Sequence, residues 1–232
     1  MKTHPSQLDP ETLAEDIGAR GYATRRLLDP AVCRDLAALY ADESRFRKRI
    51  VMEHRAYGRG EYKYLSYPLP DVVEALRTAL YPPLAAVANG WARALGQAAV
   101  FPVALTEYLA QCHAAGQTRP TPLLLRYEEG GFNCLHQDLY GEQVFPLQVT
   151  ILLSEPGADF TGGEFLLVEQ RPRAQSRAEV VPLLQGEAVI FPVHHRPAQG
   201  TRGAYRLTMR HGVSRIRSGV RQTLGIIFHD AA

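Results

Sequence analysis

The hydrophobic pattern of this chain changes its period near residue 120. Before that point apolar residues recur at three- and four-residue intervals, the spacing of one helix face. Leu13 and Ile17 form the first such stripe. Asp9 is placed to cap it, Pro10 occupies its first turn and Gly21 stands where it should stop. Tyr22 to Leu28 reads as a short strand, and Asp29-Pro30 repeats the start signal ahead of Val32, Leu36 and Leu39-Tyr40. From Pro70 to Gly96 the stripe Val72, Val73, Leu76 and Leu80 predicts a helix. Pro82-Pro83 must break or restart it, because an interior proline loses a hydrogen bond and clashes with the preceding turn. A further helix is predicted over Ala104 to Ala115. These stripes are expected to pack on the outside of a sheet.

From about Gln117-Thr118-Arg119-Pro120 onward, strand-like runs alternate with Gly/Pro turns such as Pro156-Gly157 and Thr161-Gly162-Gly163. The runs are Thr121–Tyr127, Val144–Leu153, Glu164–Gln170, Ala178–Leu183, Ala188–Phe191, Ala204–His211 and Val220–Phe228. Short strands at near-regular spacing predict a sandwich or jelly roll. The expected fold is therefore α+β and mainly β, a single domain over residues 1–232, with helical support to residue 120 and a β core from 121. Between the helical stripes, Arg45 to His54 is basic and then β-like, and Gly58-Arg59-Gly60-Glu61-Tyr62-Lys63-Tyr64 is Gly-hinged and aromatic-basic. It reads as a hairpin with a solvated, charged face; the functional alternative is a lid or substrate loop.

Composition sets bounds on this picture. A chain of 232 residues, 46% hydrophobic, can bury a substantial interior. Its net charge of +2 and pI near 8.5 are too mild to argue for nucleic acid by charge alone. Cys33, Cys112 and Cys134 have no metal-like spacing and suggest a reducing compartment. No apolar run follows Met1-Lys2-Thr3-His4-Pro5-Ser6, and no stretch approaches a membrane span. A soluble, cytoplasmic protein with no membrane partner is expected.

The candidate chemistry lies in Cys134-Leu135-His136-Gln137-Asp138-Leu139-Tyr140-Gly141. In an extended segment His136 and Asp138 point to one side. A third metal ligand is needed, and His211 follows 75 positions on (211 − 136). Two His and one carboxylate on one face of a metal leave the opposite face open, as in the facial triad of non-haem Fe(II) oxygenases. Alone, His-x-Asp is equally a loop histidine capped by an aspartate. Cys134 reads as a buried apolar filler, or as a thiol exposed to oxidation beside a metal.

The last predicted strand adds a second clue. Alternation puts Arg221, Thr223, Gly225 and Ile227 on one face and Leu224, Ile226 and Phe228 on the other, toward the helices. Arg221 thus opens an otherwise apolar strand, and a buried guanidinium is costly unless paired. It needs either an ion pair, with Glu164 or Glu187, or a bound dicarboxylate gripped by its planar fork.

The order His136-x-Asp138, His211, then Arg221 ten residues later (221 − 211) and ahead of a terminal strand, resembles the Fe(II)- and 2-oxoglutarate-dependent dioxygenases, most closely their prolyl-hydroxylase-like branch. The resemblance implies a double-stranded β-helix, a distorted jelly roll, with iron held by His136, Asp138 and His211. It implies that Arg221 binds the distal carboxylate of 2-oxoglutarate, that Tyr127 hydrogen-bonds the same group and that Thr223 lies beside them. Gly162-Gly163-Glu164-Phe165 and Gly186-Glu187-Ala188-Val189-Ile190-Phe191 resemble two of the family's strand starts. The likeness spans Thr121 to Asp230. Runs such as Gln170-Arg171-Pro172-Arg173 and His194-His195-Arg196-Pro197 are similar to a bacterial branch found alongside alkylation-repair functions.

The resemblance implies Fe(II), 2-oxoglutarate and O2 as cofactor and co-substrates, and oxidation of a C–H bond as succinate and CO2 are released. The substrate stays open between an amino-acid or protein side chain, another small molecule and an alkylated nucleobase, whose polymer Arg45–Arg49 and Gly58–Lys63 would touch. A cupin-like metal-binding or sensing module is the rival of another class, and Arg221 argues against it, since a bare metal site needs no dicarboxylate clamp. One departure is the long stretch from Phe191 to His211. His195 precedes Arg206 by eleven residues (206 − 195), a shadow of the same spacing. His211 is preferred because the strand after Arg221 ends the chain; His194 and His195 are then surface or substrate-loop residues.

Overall fold

The structure is a computed structural model that describes residues 8–98, 100–139, 141–201 and 203–232. Tyr140 and residues 1–7, which carried two of the sequence readings, lie outside the described residues. Helix α1 (Pro10–Arg20) starts as its sequence dictates: the Asp9 carboxylate accepts from the Thr12 amide at 2.8 Å, and Leu13 and Ile17 are buried. Strand β1 (Ala23–Arg26) and helix α2 (Pro30–Ala38) follow. Next come β2 (Phe46–Val51), β3 (Gly58–Arg59) and β4 (Glu61–Leu65).

Helix α3 (Asp71–Ala94) corrects an expectation. It runs unbroken through Pro82 and Pro83. The flanking Leu80, Tyr81, Leu84 and Ala85 are all buried in the core, so packing outweighs a local penalty of about 3 kcal/mol. Helix α4 (Leu105–Ala114) completes the helical part.

The β half contains a strand for each of the seven predicted runs: β5 (Leu123–Tyr127), β7 (Leu147–Leu152), β9 (Phe165–Gln170), β10 (Arg177–Val181), β11 (Glu187–Pro192), β13 (Gly203–Val213) and β15 (Arg221–Ile226). Interleaved with them are β6 (Phe132–His136), β8 (Phe160–Gly162), β12 (His195–Gly200) and β14 (Ile216–Gly219). The described strands form a seven-stranded sheet in the order β1-β11-β7-β15-β5-β4-β2, facing a second sheet in the order β10-β9-β13-β6-β3 with β12 beside β13. Every pairing of named strands is antiparallel. The architecture is a double-stranded β-helix with helices laid on one face.

Alternation decides which residue goes to which layer. Leu147, Val149, Ile151, Leu224, Ile226 and Phe228 face outward and join α1, α2, α3 and α4 in one core cluster. Leu152, Val189 and Phe191 face inward and meet Phe165, Leu167, Leu207 and Met209 of the opposite sheet. The long Phe191–His211 interval is accounted for by β12 folding back on β13, with His195 opposite Thr208. No described helix is long and apolar enough to cross a membrane.

His229, just past β15, ties the sheet to the preceding loop. Its Nδ1 accepts from the Phe145 amide at 3.2 Å, and the ring is 1% exposed. Burial, with the Arg77 guanidinium nearby, pushes the imidazole down to about 4. The unfolded chain titrates near 6.5, so it takes up this proton first as pH falls. Stability from His229 is therefore complete above pH ~6.5 and lost as pH falls toward about 4, a swing of about 3 kcal/mol. Melting curves between those pH values should show this loss in the wild type, and His229→Asn, which keeps an acceptor but no titration, should show a flatter profile.

Candidate metal and co-substrate site

β6 and β13 pair so that His136 and His211 are direct Cα partners. Such partners project to one face, and their rings stand 4.2 Å apart, centroid to centroid. Asp138, two residues beyond His136, lies between them: its Oδ1 is 3.5 Å from His136 Nε2 and its Oδ2 is 3.3 Å from His211 Nε2. One donor atom from each residue falls within 4.8 Å of the others. Gly212 permits this close pairing, since an added Cβ would sit 2.7 Å from the Asn133 carbonyl oxygen.

The surroundings orient each donor. His136 Nδ1 is 2.7 Å from the Cys134 carbonyl, which can only accept, so Nδ1 carries a proton and Nε2 is the nitrogen turned to Asp138. Burial opposes the charged ring, but the adjacent carboxylate outweighs it and pushes His136 up, so a metal at Nε2 would displace a proton. The His211 ring lies against Phe165 and Phe191, with centroids 6.1 and 4.7 Å away. Burial and the neighbouring His136 push His211 down, toward its neutral form. Burial opposes ionisation of Asp138, but the two imidazoles outweigh it and hold the carboxyl well below its usual range. A neutral imidazole and an ionised carboxylate are the protonation states that a divalent metal requires. The donor set fits iron.

Arg221 opens β15 directly opposite Tyr127 of β5. It is 2% exposed, yet no described carboxylate pairs with it, and its Nε donates to no protein group. Both partners anticipated for a structural ion pair are engaged elsewhere. The Glu164 carboxylate accepts from the Ser214 hydroxyl, and that of Glu187 from the Leu184 amide. The guanidinium instead lies 6.0 and 5.9 Å from the Tyr127 and Phe160 ring centres. Burial pushes it down to about 10, against the effect of Tyr127 and Glu164, so it remains charged at neutral pH. A bare buried charge costs several kcal/mol, and a bound carboxylate would offset that cost. The Gly-Gly-Glu turn makes room for this side chain. At Gly163 (φ 65°) a Cβ would stand 2.9 Å from Arg221 Cδ and 2.3 Å from Ile216 Cδ1.

A cavity of about 280 Å³ joins the two groups, with His136, Asp138 and His211 on one wall and Arg221, Thr223 and Tyr127 on another. The Tyr127 hydroxyl accepts from Asn133 Nδ2 at 3.3 Å. Tyr62, Tyr64, Gln148 and Thr150 also line the cavity and were not anticipated. The signal for the last two was present: they are polar alternates in the otherwise apolar Leu147–Leu152.

Other expectations need adjusting. Cys134 is exposed and borders the cavity, so it is no buried filler; it lies on the open rim of β6. Of the Arg45–Lys63 segment, β2 and β4 belong to the seven-stranded sheet and β3 to the second, and several of its basic groups are engaged. Arg49 pairs with Glu61, the buried Lys63 pairs with Glu43 at 2.6 Å, and Arg47 packs on the Tyr64 ring. Its tyrosines, rather than its cations, reach the cavity. His194 and His195 stack on each other at 3.4 Å and do not line the cavity.

Comparison with known proteins places this geometry. A family model named Oxygenase-NA, described as "Oxygenase, catalysing oxidative methylation of damaged DNA", matches residues 60–231. Two Mycobacterium tuberculosis proteins, from strains CDC 1551 and H37Rv and both named only as uncharacterised, are 56% identical over 165 residues, 71% of this chain and 71% of each of them. Among solved structures, a Pseudomonas putida prolyl-4-hydroxylase superposes with a TM-score of 0.57 at 14% identity, over 96% of this chain and 99% of that one. A Burkholderia pseudomallei oxidoreductase of the 2OG-Fe(II) oxygenase family gives 0.52 at 14% identity, over 100% and 96%. At that identity the structural likeness is one of fold.

Two measurements test the site. Anaerobic Fe(II) titration should give one ion per chain in the wild type and in His195→Ala, and none in His211→Ala; the opposite pattern would exchange the two histidines. Anaerobic 2-oxoglutarate titration should show Arg221→Lys binding about tenfold to hundredfold more weakly, since one charge-assisted hydrogen bond worth roughly 1.5–3 kcal/mol is lost. Arg221→Ala should bind more weakly still. Unchanged affinity with a lowered melting temperature would make Arg221 purely structural.

Proposed function

Because this chain belongs to the Oxygenase-NA family and has the fold of the 2-oxoglutarate–Fe(II) oxygenases, we propose that it removes an alkyl group oxidatively from a base of damaged DNA. The observation that carries this reading is the aromatic wall beside the three donors. Tyr62 and Tyr64 stand edge to face, 5.4 Å and 90° apart, and both line the cavity that holds His136, Asp138 and His211. A flat, partly apolar slot with a few polar groups is what an extruded base requires, since such bases are read by stacking and by hydrogen bonds to their edge. The Oxygenase-NA family is described as acting on damaged DNA.

In this reading His136, Asp138 and His211 hold Fe(II), and Arg221 holds the distal carboxylate of 2-oxoglutarate, with Tyr127 and Thr223 beside it. When bound, the iron supplies oxidation of an unactivated C–H bond by O2, with 2-oxoglutarate leaving as succinate and CO2. The chain's own work is orientation. The Cys134 carbonyl fixes the His136 tautomer, the Phe165 and Phe191 rings fix His211, and Arg221 sets how deep the co-substrate sits. The net outcome on a ring-nitrogen methyl group is one added oxygen atom. The resulting N–CH2OH group gives up its O–H proton as its C–N bond breaks, the bonding pair stays on the nitrogen, and formaldehyde leaves. The likeness to a prolyl-4-hydroxylase is one of fold and brings no substrate with it.

The test uses single-stranded oligonucleotides carrying one N-methylated base, incubated with Fe(II), ascorbate, O2 and 2-oxoglutarate, beside panels of peptides and free amino acids. Formaldehyde and restored base should appear in equal amounts, accompanied by succinate. Hydroxylation of a peptide, with every oligonucleotide unchanged, would replace this reading with the protein-side-chain one.

A further inference from the structure

Three cavity-lining residues carry a buried side-chain polar atom with no hydrogen-bond partner among the described residues: His211, Arg221 and Gln148. The Arg221 atom is accounted for by the proposed co-substrate, and the His211 atom is Nδ1, the ring nitrogen opposite the one that faces Asp138 and the proposed metal. Gln148 is explained by neither. It is 5% exposed, and its Oε1 accepts from no group among the described residues. Leaving such an acceptor unmet is unfavourable. Yet the residue sits second in a central strand, between Leu147 and Val149, which are apolar and outward-facing.

Its position shows what it can and cannot reach. Gln148 is the Cα partner of Phe191, so the two project to the same face, and the Phe191 ring packs 4.7 Å from His211. Gln148 therefore lines the donors' end of the cavity, with Phe191 between it and His211. It also stands at the far end of the cavity from Arg221. Thr223 pairs with Leu152 and Gly225 with Thr150, so Gln148 lies four residues beyond the level of Thr223, about 13 Å along the strand. The carboxylate gripped by Arg221 is out of its reach. The group it faces belongs to what enters between the donors and the Tyr62–Tyr64 wall.

We propose that Gln148 is a specificity-determining residue whose carboxamide accepts an N–H from the edge of the substrate base. The inference rests on the nucleobase reading above and adds a chemical choice to it. A base with an exocyclic amino group next to its methylated ring nitrogen meets the Gln148 acceptor. A base whose edge carries only carbonyl oxygens leaves Oε1 unmet unless the carboxamide turns its Nε2 toward it, a turn that Gln148→Glu, an acceptor only, forbids. A site built to hydrogen-bond a polar group discriminates against a partner that lacks it.

The experiment compares two single-stranded oligonucleotides, one with 3-methylcytosine, which has the amino group, and one with 3-methylthymine, which has none. The wild type should show the higher kcat/KM on 3-methylcytosine. Gln148→Met, similar in length but without the amide, should cut that preference about tenfold, chiefly through a higher KM for 3-methylcytosine. Gln148→Glu, which keeps an acceptor at this position, should retain the preference. Melting curves establish that each variant is folded, and anaerobic titration should leave 2-oxoglutarate affinity within about twofold of wild type, as expected for a residue beyond its reach. Two results would overturn the assignment while leaving the nucleobase reading intact: a preference that survives Gln148→Met, or a loss of 2-oxoglutarate affinity that matches the loss of turnover. A wild type inactive on both oligonucleotides and on every other methylated base would instead remove the nucleobase reading, and this inference with it.

Discussion

The antiparallel register of β6 on β13 is the constraint on which this molecule's chemistry depends. It sets His136 opposite His211 across two backbones that only a glycine at 212 allows to approach so closely. Asp138, just past the end of β6, then has both imidazoles as neighbours. A slip of one residue in this pairing would send one histidine to the other face of the sheet. The register is held by the rest of β13, which pairs with β9 along six positions from Thr208 to Val213 and with β12 on the same side of the fold. The same scaffold places the phenylalanines that hem in His211.

The opposite wall of the cavity depends on a charge taken out of water. Arg221 is committed to the interior by the register of β15 with β5 and β7, and no carboxylate among the described residues pairs with it. A fold under selection for stability alone would replace such a residue with an apolar one, since burying an unpaired ion is unfavourable by several kcal/mol. Gln148 is a smaller instance of the same arrangement at the other end. Polar groups left unmet by the fold are the features that most directly describe the intended contents of the cavity.

The helices contribute by anchoring the strand that carries Arg221. Arg77 of α3 is fully buried and donates to the carbonyls of Ile227 and Phe228, at 3.0 Å each, and to the Asp230 carboxylate at 2.9 Å. Asp230 is also met by the Tyr67 hydroxyl and by His113 of α4. This network clamps the chain immediately after β15, and through it the helical layer fixes where the strand, and so its first residue, must lie. The pair is a complete one, in contrast to Arg221: charge and donors are matched within the protein.

Much of this was legible in the amino-acid sequence, for local reasons. Period-two alternation named the strands β5, β7, β9, β10, β11, β13 and β15, and capping signals named α1 and α2, because both depend only on near neighbours. His136, Asp138, His211 and Arg221 were legible as an ordered set through its resemblance to a known family, and the structure brings all four to one cavity. Other features required the tertiary structure. Whether α3 survives two prolines depends on what buries Leu80, Tyr81 and Leu84, not on the prolines. Whether Arg221 has a partner depends on where Glu164 and Glu187 turn, and both turn to nearer donors. That Tyr62, Tyr64 and Gln148 share a cavity with the three donors follows from strands far apart in sequence lying side by side. The sequence by itself determined which residues alternate, cap and carry charge; only packing decided which polar groups find each other, because a hydrogen bond or ion pair forms between neighbours in space and chain order does not record them.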